Sequence, residues 1–332
     1  TEKIDESRER ILREANEKEH ENLKREETRL RKRKADHKKS LELERVQMED
    51  LAYRCYNKFK IFKLSHNNDS AMYYLECRVQ LDTANIDWNM AAGEFMYTYM
   101  SNYGKAVDYY ERAIRHAVKQ GDTSAIALCY NNIAKICLDV EKFDLAIEYV
   151  TKGLELNNAE YGYKSSGVAA SHSILGGVYY AQGKFDIALE EYKKALDINI
   201  SVKGECNEYT AMTYNNIGLV YRALGNISGA LEFYKKSLEV YNGIPELDQV
   251  ELVGVYNNLA NLYTDVGDFR NAVKYHEKSL EIRLDVFGER NLQAALGYNN
   301  MGVLKYNMDD IDGAIDMWNK ALAIYITIFG EQ

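Results

Sequence analysis

Proline is nearly missing from this chain: Pro245 is the one instance in 332 residues. Because proline breaks a helix interior, its scarcity leaves room for long uninterrupted helices. The five cysteines form no C-x-x-C pair and cannot all be bridged, so the expectation is reduced thiols in an intracellular, cytoplasmic protein. Cys137 stands where tyrosines occur elsewhere in the chain and reads as core filler. No run of apolar residues is long enough to span a membrane, and no signal-peptide pattern opens the chain. The six histidines (His20, His37, His66, His116, His172, His276) are scattered, with no H-E-x-x-H or other metal spacing. Gly176-Gly177 falls inside a helical pattern and is no phosphate loop. The carboxylates are dispersed, with no apolar pocket in the pattern to perturb them. These absences predict no enzyme activity, no cofactor, no metal and no membrane partner.

What the chain does hold is a period. The aromatic series Tyr130, His172, Tyr214, Tyr256, Tyr298 advances by 42, and so do Ala134, Gly176, Gly218, Ala260, Gly302 four places on. Ala146, Ala188, Ala230, Ala272, Ala314 and Gly153, Ala195, Ser237, Ser279, Ala321 keep the same register. Such a period means a solenoid whose units bury their apolar faces against one another. Within a unit, Tyr214, Ile217, Gly218, Tyr221 and then Leu231, Tyr234, Leu238, Tyr241 are helical stripes. Gly183, Gly225 and Gly267 between the stripes can take the left-handed conformation that ends a helix, while Glu141 and Asp309 replace them in two units. The unit is a helix–turn–helix and the chain all-α.

The order aromatic, Leu/Ile, Gly/Ala, aromatic, then Ala, aromatic, Ala resembles the tetratricopeptide repeat, whose usual length is 34. The longer form here, with asparagine pairs Asn131-Asn132, Asn215-Asn216, Asn257-Asn258 and Asn299-Asn300 and loop glycines Gly162, Gly204, Gly288 and Gly330, is similar to kinesin light chains; bacterial signalling proteins carry such arrays too. The resemblance covers 86–332 and implies a right-handed superhelical solenoid. The expected units are 85–123, 124–165, 166–207, 208–249, 250–291 and 292–332, preceded by a degenerate capping hairpin over 51–84. That hairpin rests on the stripe Tyr53, Tyr56, Phe59, Phe62 and on Ala71, Leu75, Arg78, Leu81.

Residues 1–50 differ. They hold 15 acidic and 15 basic side chains, so the net charge of −9 belongs to the remainder. Glu6–Arg10, Glu9–Arg13, Glu14–Lys18, Glu21–Arg25 and Glu27–Arg31 are helix-supporting pairs, and the heptad of Ile4, Ile11, Leu23 and Leu30 is broken. A long charged helix is expected, solvated or in a weak coiled coil, with self-association through 1–50 as the alternative. The basic run 29–34 is diluted by glutamates and reads as a solvated face, so no nucleic acid is expected. The chain starts without methionine and reads as a segment of something longer.

In tetratricopeptide arrays the first helices line a concave groove, and the resemblance places Asn132, Asn216, Asn258 and Asn300 there. An amide carries both donor and acceptor, so a row of them suits the backbone of an extended peptide; the same amides could instead hold neighbouring helices together. Ile174 interrupts the row and, with Ser173, Gly177 and Ala181, predicts a small apolar pocket. Further lining candidates are Asn131, Asn215, Asn257, Asn299, Lys135, Asp139, Tyr180, Arg222, Asn261, Asp265, Tyr306 and Asn307. The expected function is a scaffold or adaptor that binds a protein or peptide partner. The alternative is the sensing arm of a larger signalling protein, bacterial defence proteins included, whose effector lies outside the segment.

Overall fold

The computed structural model describes residues 2–65 and 67–330. The chain falls into two units, Thr1–Lys58 and Phe59–Gln332. The first is part of one helix, α1 (Glu2–Leu64), which continues without a break past residue 50 to the first turn. Composition changes at 50, but the hydrogen-bonded backbone does not. The five charge pairs expected between Glu6 and Arg31 lie outside the residues whose side chains are described. Further along, Arg45–Glu49 at 3.0 Å and Arg54–Asp50 at 2.9 Å show the same one-turn pairing on the exposed helix.

The second unit is helical hairpins in series. Asn67 caps α2 (Asn68–Leu81) by accepting the Ser70 amide. Phe59 meets Phe95 edge-on at 5.3 Å, and Phe62 stacks on Tyr74 at 5.5 Å. Tyr53 departs from the expected stripe: it is exposed. Six hairpins follow: α3 (Ile86–Thr98) with α4 (Tyr103–Gln120), α5 (Thr123–Asp139) with α6 (Phe143–Tyr161), α7 (Ser166–Ala181) with α8 (Phe185–Lys203), α9 (Glu208–Ala223) with α10 (Ile227–Asn242), α11 (Leu252–Asp265) with α12 (Phe269–Phe287), and α13 (Leu292–Asn307) with α14 (Ile311–Phe329). No described residue is in a strand. Asp122 caps α5 by accepting the Ala125 amide at 2.9 Å.

The period has a packing origin. Where the first helix carries glycine, the second offers a large ring: a Cβ on Gly176 would stand 2.7 Å from the Tyr192 ring, one on Gly218 2.6 Å from Tyr234, and one on Gly302 2.5 Å from Trp318. Where the first helix carries alanine, at Ala134 and Ala260, the residue in the same register on the second is smaller, Val150 or His276. Each hairpin is thus matched in size within itself. Tyr221, expected to be buried, is only half-buried and stacks on Phe233 at 5.3 Å, while Ala230 is fully buried.

Near the ends of α6, α8, α10 and α12 a polar side chain faces the next hairpin: Asn157, Asn199, Tyr241 and Arg283, all buried and all in register. Asn199 Nδ2 donates to Thr213 Oγ1 at 3.3 Å in α9, and Arg283 Nη1 donates to the Gln293 carbonyl at 3.2 Å and to Gln293 Oε1 in α13. Asn157 fills the space left by the missing Cβ of Gly167.

Both non-glycine substitutes in the turn series do take left-handed backbone, Glu141 at φ 59° and Asp309 at φ 61°, beside Gly225 at 74°. A Cβ in that region costs about 1–2 kcal/mol. Glu141→Gly and Asp309→Gly are each expected to raise stability by about 1 kcal/mol, read as an upward shift in the thermal midpoint; no shift would mean the turn already relieves the strain.

Candidate functional site

Asn132, Asn216, Asn258 and Asn300 sit at one position of α5, α9, α11 and α13, and all four are half-buried. Each is followed by a buried residue, Ile133, Ile217, Leu259 or Met301, so the amides mark the edge where the packed stripe meets solvent. The first asparagines of the pairs are less uniform. Asn215 accepts from Asn258 Nδ2 at 3.0 Å, which ties α9 to α11. Asn257 and Asn299 are half-buried. Asn131 is 3% exposed, and its Oδ1 accepts from Ser171 Oγ in α7 at 3.1 Å. A Cβ on Gly153 would stand 2.8 Å from that same oxygen. Asn131 therefore holds three helices together and offers nothing to a ligand.

The mid-array apolar pocket differs from its expectation. Ile174 is 6% exposed, and the space beside Gly177 is occupied: Leu138 Cδ2 lies 3.1 Å from where a Cβ would be. The preceding unit's side chain fills what glycine leaves open. Tyr180 packs on Phe185 with ring centroids 5.6 Å apart. Asn261 is half-buried, while Tyr306 and Asn307 are exposed at the last hairpin.

Polar groups of neighbouring first helices meet about two turns further along. Tyr97 Oη donates to Asp139 Oδ2 at 2.6 Å, and Arg222 Nε donates to Asp265 Oδ2 at 2.6 Å. The hydrogen bond to Asp265 raises the already high Arg222 pKa against burial. Burial pushes the Asp139 carboxyl up, with Tyr97 and Lys135 opposing. Lys135 reaches solvent, yet enough protein surrounds it that desolvation lowers its pKa while Glu94, Asp139 and Glu251 pull the other way. Glu251 lies in the short 3-10 turn Gln249–Glu251 that leads into α11. Its pKa is raised by burial and then by Glu208 and Asp248, with Lys135 opposing. Lys135 thus feels carboxylates from α3, from its own helix and from the start of α11, more than two units away.

Sequence reasoning missed Tyr97, Glu94 and Glu251. Tyr97 precedes Asp139 by 42, so the register reaches it; the first unit's irregular first helix hid the match. Glu251 carried no signal, because only the curvature of the array brings it near α5. His172 and His276, at repeat positions filled elsewhere by aromatic residues, differ. His276 is buried, whereas His172 is half-buried and its Nδ1 meets Glu191 Oε2 at 2.6 Å. Burial pushes the Glu191 carboxyl up, but hydrogen bonds from His172 and Lys194 outweigh it and the pKa is lowered. Among the described residues no cluster of His, Cys, Asp and Glu could hold a metal, and no helix is long and apolar enough to cross a membrane.

A family model for the tetratricopeptide repeat matches residues 82–159, 167–243 and 251–327. Among solved structures, the chain is similar to BtubC (BKLC) from P. vanneervenii at 21% identity, with 71% of this chain and 93% of that one covered and a TM-score of 0.51. The apo form of RapI matches at 14% identity over 83% of this chain and 98% of that one, with a TM-score of 0.60. A Rap protein complexed with Competence and Sporulation Factor matches at 13% over 85% and 87%, also with a TM-score of 0.60. At these identities the likeness is one of fold. No curated protein matches the sequence.

Proposed function

We propose, for a chain that belongs to the tetratricopeptide repeat family, that its array is a protein-interaction scaffold whose first helices receive an extended peptide. The observation that carries this reading is the row Asn132, Asn216, Asn258 and Asn300, half-buried at one position of four first helices. A half-buried amide keeps solvent-facing donor or acceptor capacity, and a row of them repeats at intervals that an extended backbone can follow. Asn258 already spends one donor on Asn215, so it both stitches the stack and retains its carbonyl for a ligand. Lys135, Tyr180, Arg222, Asn261 and Tyr306 flank the row, and the two pairs Tyr97–Asp139 and Arg222–Asp265 fix the rim.

The triple variant Asn216→Ala, Asn258→Ala, Asn300→Ala separates ligand contact from stack support. A peptide selected on the unaltered chain from a random library supplies the probe. Each lost amide is expected to weaken binding by about 0.5–1.5 kcal/mol, with little change in thermal midpoint except for the share owed to the Asn258–Asn215 bond. Unchanged affinity with a large drop in midpoint would sink the groove reading.

A second reading, favoured by the unbroken run of α1 from Glu2 to Leu64, makes the array the sensing arm of a larger signalling protein. The array would then bias an element beyond the segment through that helix. An effector domain in the full-length sequence is the outcome that would favour it.

A further inference from the structure

In a solenoid each unit touches its neighbours, yet the first hairpin of this array also meets the loop between the fifth and the sixth. Asn291, in the loop between α12 and α13, donates from Nδ2 to the Tyr99 carbonyl at 3.3 Å across 192 positions of sequence. The Tyr99 ring, at the turn after α3, lies 5.6 Å from the Phe287 ring. Tyr99 is itself held firmly: Phe95 stacks on it at 4.9 Å, Lys63 Nζ stands 4.6 Å over its ring, and Asn68 Nδ2 donates to the same carbonyl at 3.5 Å.

The register shows that these residues are unusual. Tyr161 occupies the place of Phe287 three periods earlier and is 51% exposed, whereas Phe287 is 6% exposed. Asn207 and Asn291 both cap the helix that follows them through Oδ1. Asn207 turns its Nδ2 back to its own loop, to the Gly204 carbonyl at 2.5 Å; Asn291 sends its Nδ2 to Tyr99 and is buried. The loop after α12 is therefore adapted to a surface more than four units away in sequence. The electrostatic reach from Lys135 to Glu251 across the interior has the same origin.

We propose that Tyr99, Phe287 and Asn291 form a releasable clasp that closes the groove around its ligand, so that the closed array admits an extended chain and excludes a folded body. The inference rests on the groove reading for its ligand, but the clasp itself is testable without one. Two rings and one amide bond are a small contact. A minor open population is therefore expected at equilibrium, and weakening the clasp raises it.

The test uses the 332-residue chain with Cys77 and Cys206 replaced by serine and nitroxide labels at Lys105→Cys and Arg290→Cys, two exposed sites beside the contact. The expected result is one narrow, short label distance. Asn291→Asp, which keeps the cap oxygen and removes only the donor, and Phe287→Ala should each shift the distribution to longer distances. A distribution unchanged in both variants, with helicity intact, would overturn the clasp. In a second arm Lys135→Cys is challenged with N-ethylmaleimide and with a maleimide carried on a folded protein. The small reagent should react in all forms, and the large one about tenfold faster in the clasp variants, as a rise in open population requires. Equal attack by the large reagent on the intact clasp would overturn the exclusion. Failure of the asparagine experiment alone would leave both of these results standing.

Discussion

Gly218→Ala is expected to destabilise the array by about 1–3 kcal/mol, at the upper end of what one added methyl group costs in a packed core. The new Cβ would stand 2.6 Å from two carbons of the Tyr234 ring, and that ring is fully buried, so it has no free space to swing into. The backbone of α9 must move away from α10, and the contact that defines the hairpin is lost along its length. In a Tyr234→Val background the same substitution is expected to cost nothing, because Ala134 with Val150 is how the α5–α6 hairpin is built. Tyr234→Val by itself opens a cavity, although it also removes a buried hydroxyl that has no hydrogen-bond partner. A double-mutant cycle by urea unfolding is the measurement, with coupling of the order of 1–3 kcal/mol expected. Additive effects would mean that the small residue and the ring do not set each other's size. The series should be followed by more than one probe, because a repeat array need not unfold in one step.

Acidification should weaken the fold through His276. Burial, and then the neighbouring Arg283 charge, lower its pKa to about 4. Above the unfolded value of about 6.5 both states carry a neutral ring, and the group adds no pH dependence. Below it the unfolded chain takes up a proton that the folded chain refuses, so stability falls as pH drops, until the folded site also protonates near 4. The loss across that window is about 3 kcal/mol. His276→Val places in α12 the residue that α6 carries at the same position opposite an alanine, Val150 opposite Ala134, and is expected to abolish this part of the acid sensitivity. Chemical unfolding at pH 7 and pH 4.5 checks it: the stability difference between the two proteins should shift in favour of the variant at the lower pH. Parallel behaviour at both would show that His276 is more open to solvent than its 3% exposure indicates.

The hairpins were legible because their cause is local. The size match between Gly218 and Tyr234, or between Ala260 and His276, lies within one unit, and a repeating local rule prints itself on the sequence. Even its exceptions could be read, since Glu141 and Asp309 fall where the register demands a left-handed residue and do adopt it. The candidate site was harder to read. The register identified the asparagine row but could not tell Asn131, sealed between Gly153 and Ser171, from its half-buried counterparts Asn215, Asn257 and Asn299. Which member of a pair is covered depends on what the next unit sends toward it: Ser171 in one case, Asn258 in another. The pocket at Gly177 failed for the same reason, since Leu138 comes from the unit before. The contact of Tyr99 with Phe287, and the charge influence of Glu251 on Lys135, depend on the summed rotation of several units, which no single window of sequence carries.

The polar joints between hairpins limit how freely the units could be traded for one another. Asn199 is shaped for Thr213, and Arg283 for the side chain and carbonyl of Gln293, so these two hairpins each carry half of a fitting specific to the successor. The fit between glycine and ring, by contrast, is closed within a hairpin. A cut between α9 and α10 therefore separates matched halves, whereas a cut between α10 and α11 leaves whole modules that can be moved. A hairpin transplanted after α12 must bring an acceptor for the Arg283 guanidinium, or that buried charge is stranded in the seam. Any shuffling of this array, by recombination or by design, should succeed in blocks that keep 283 and 293 together.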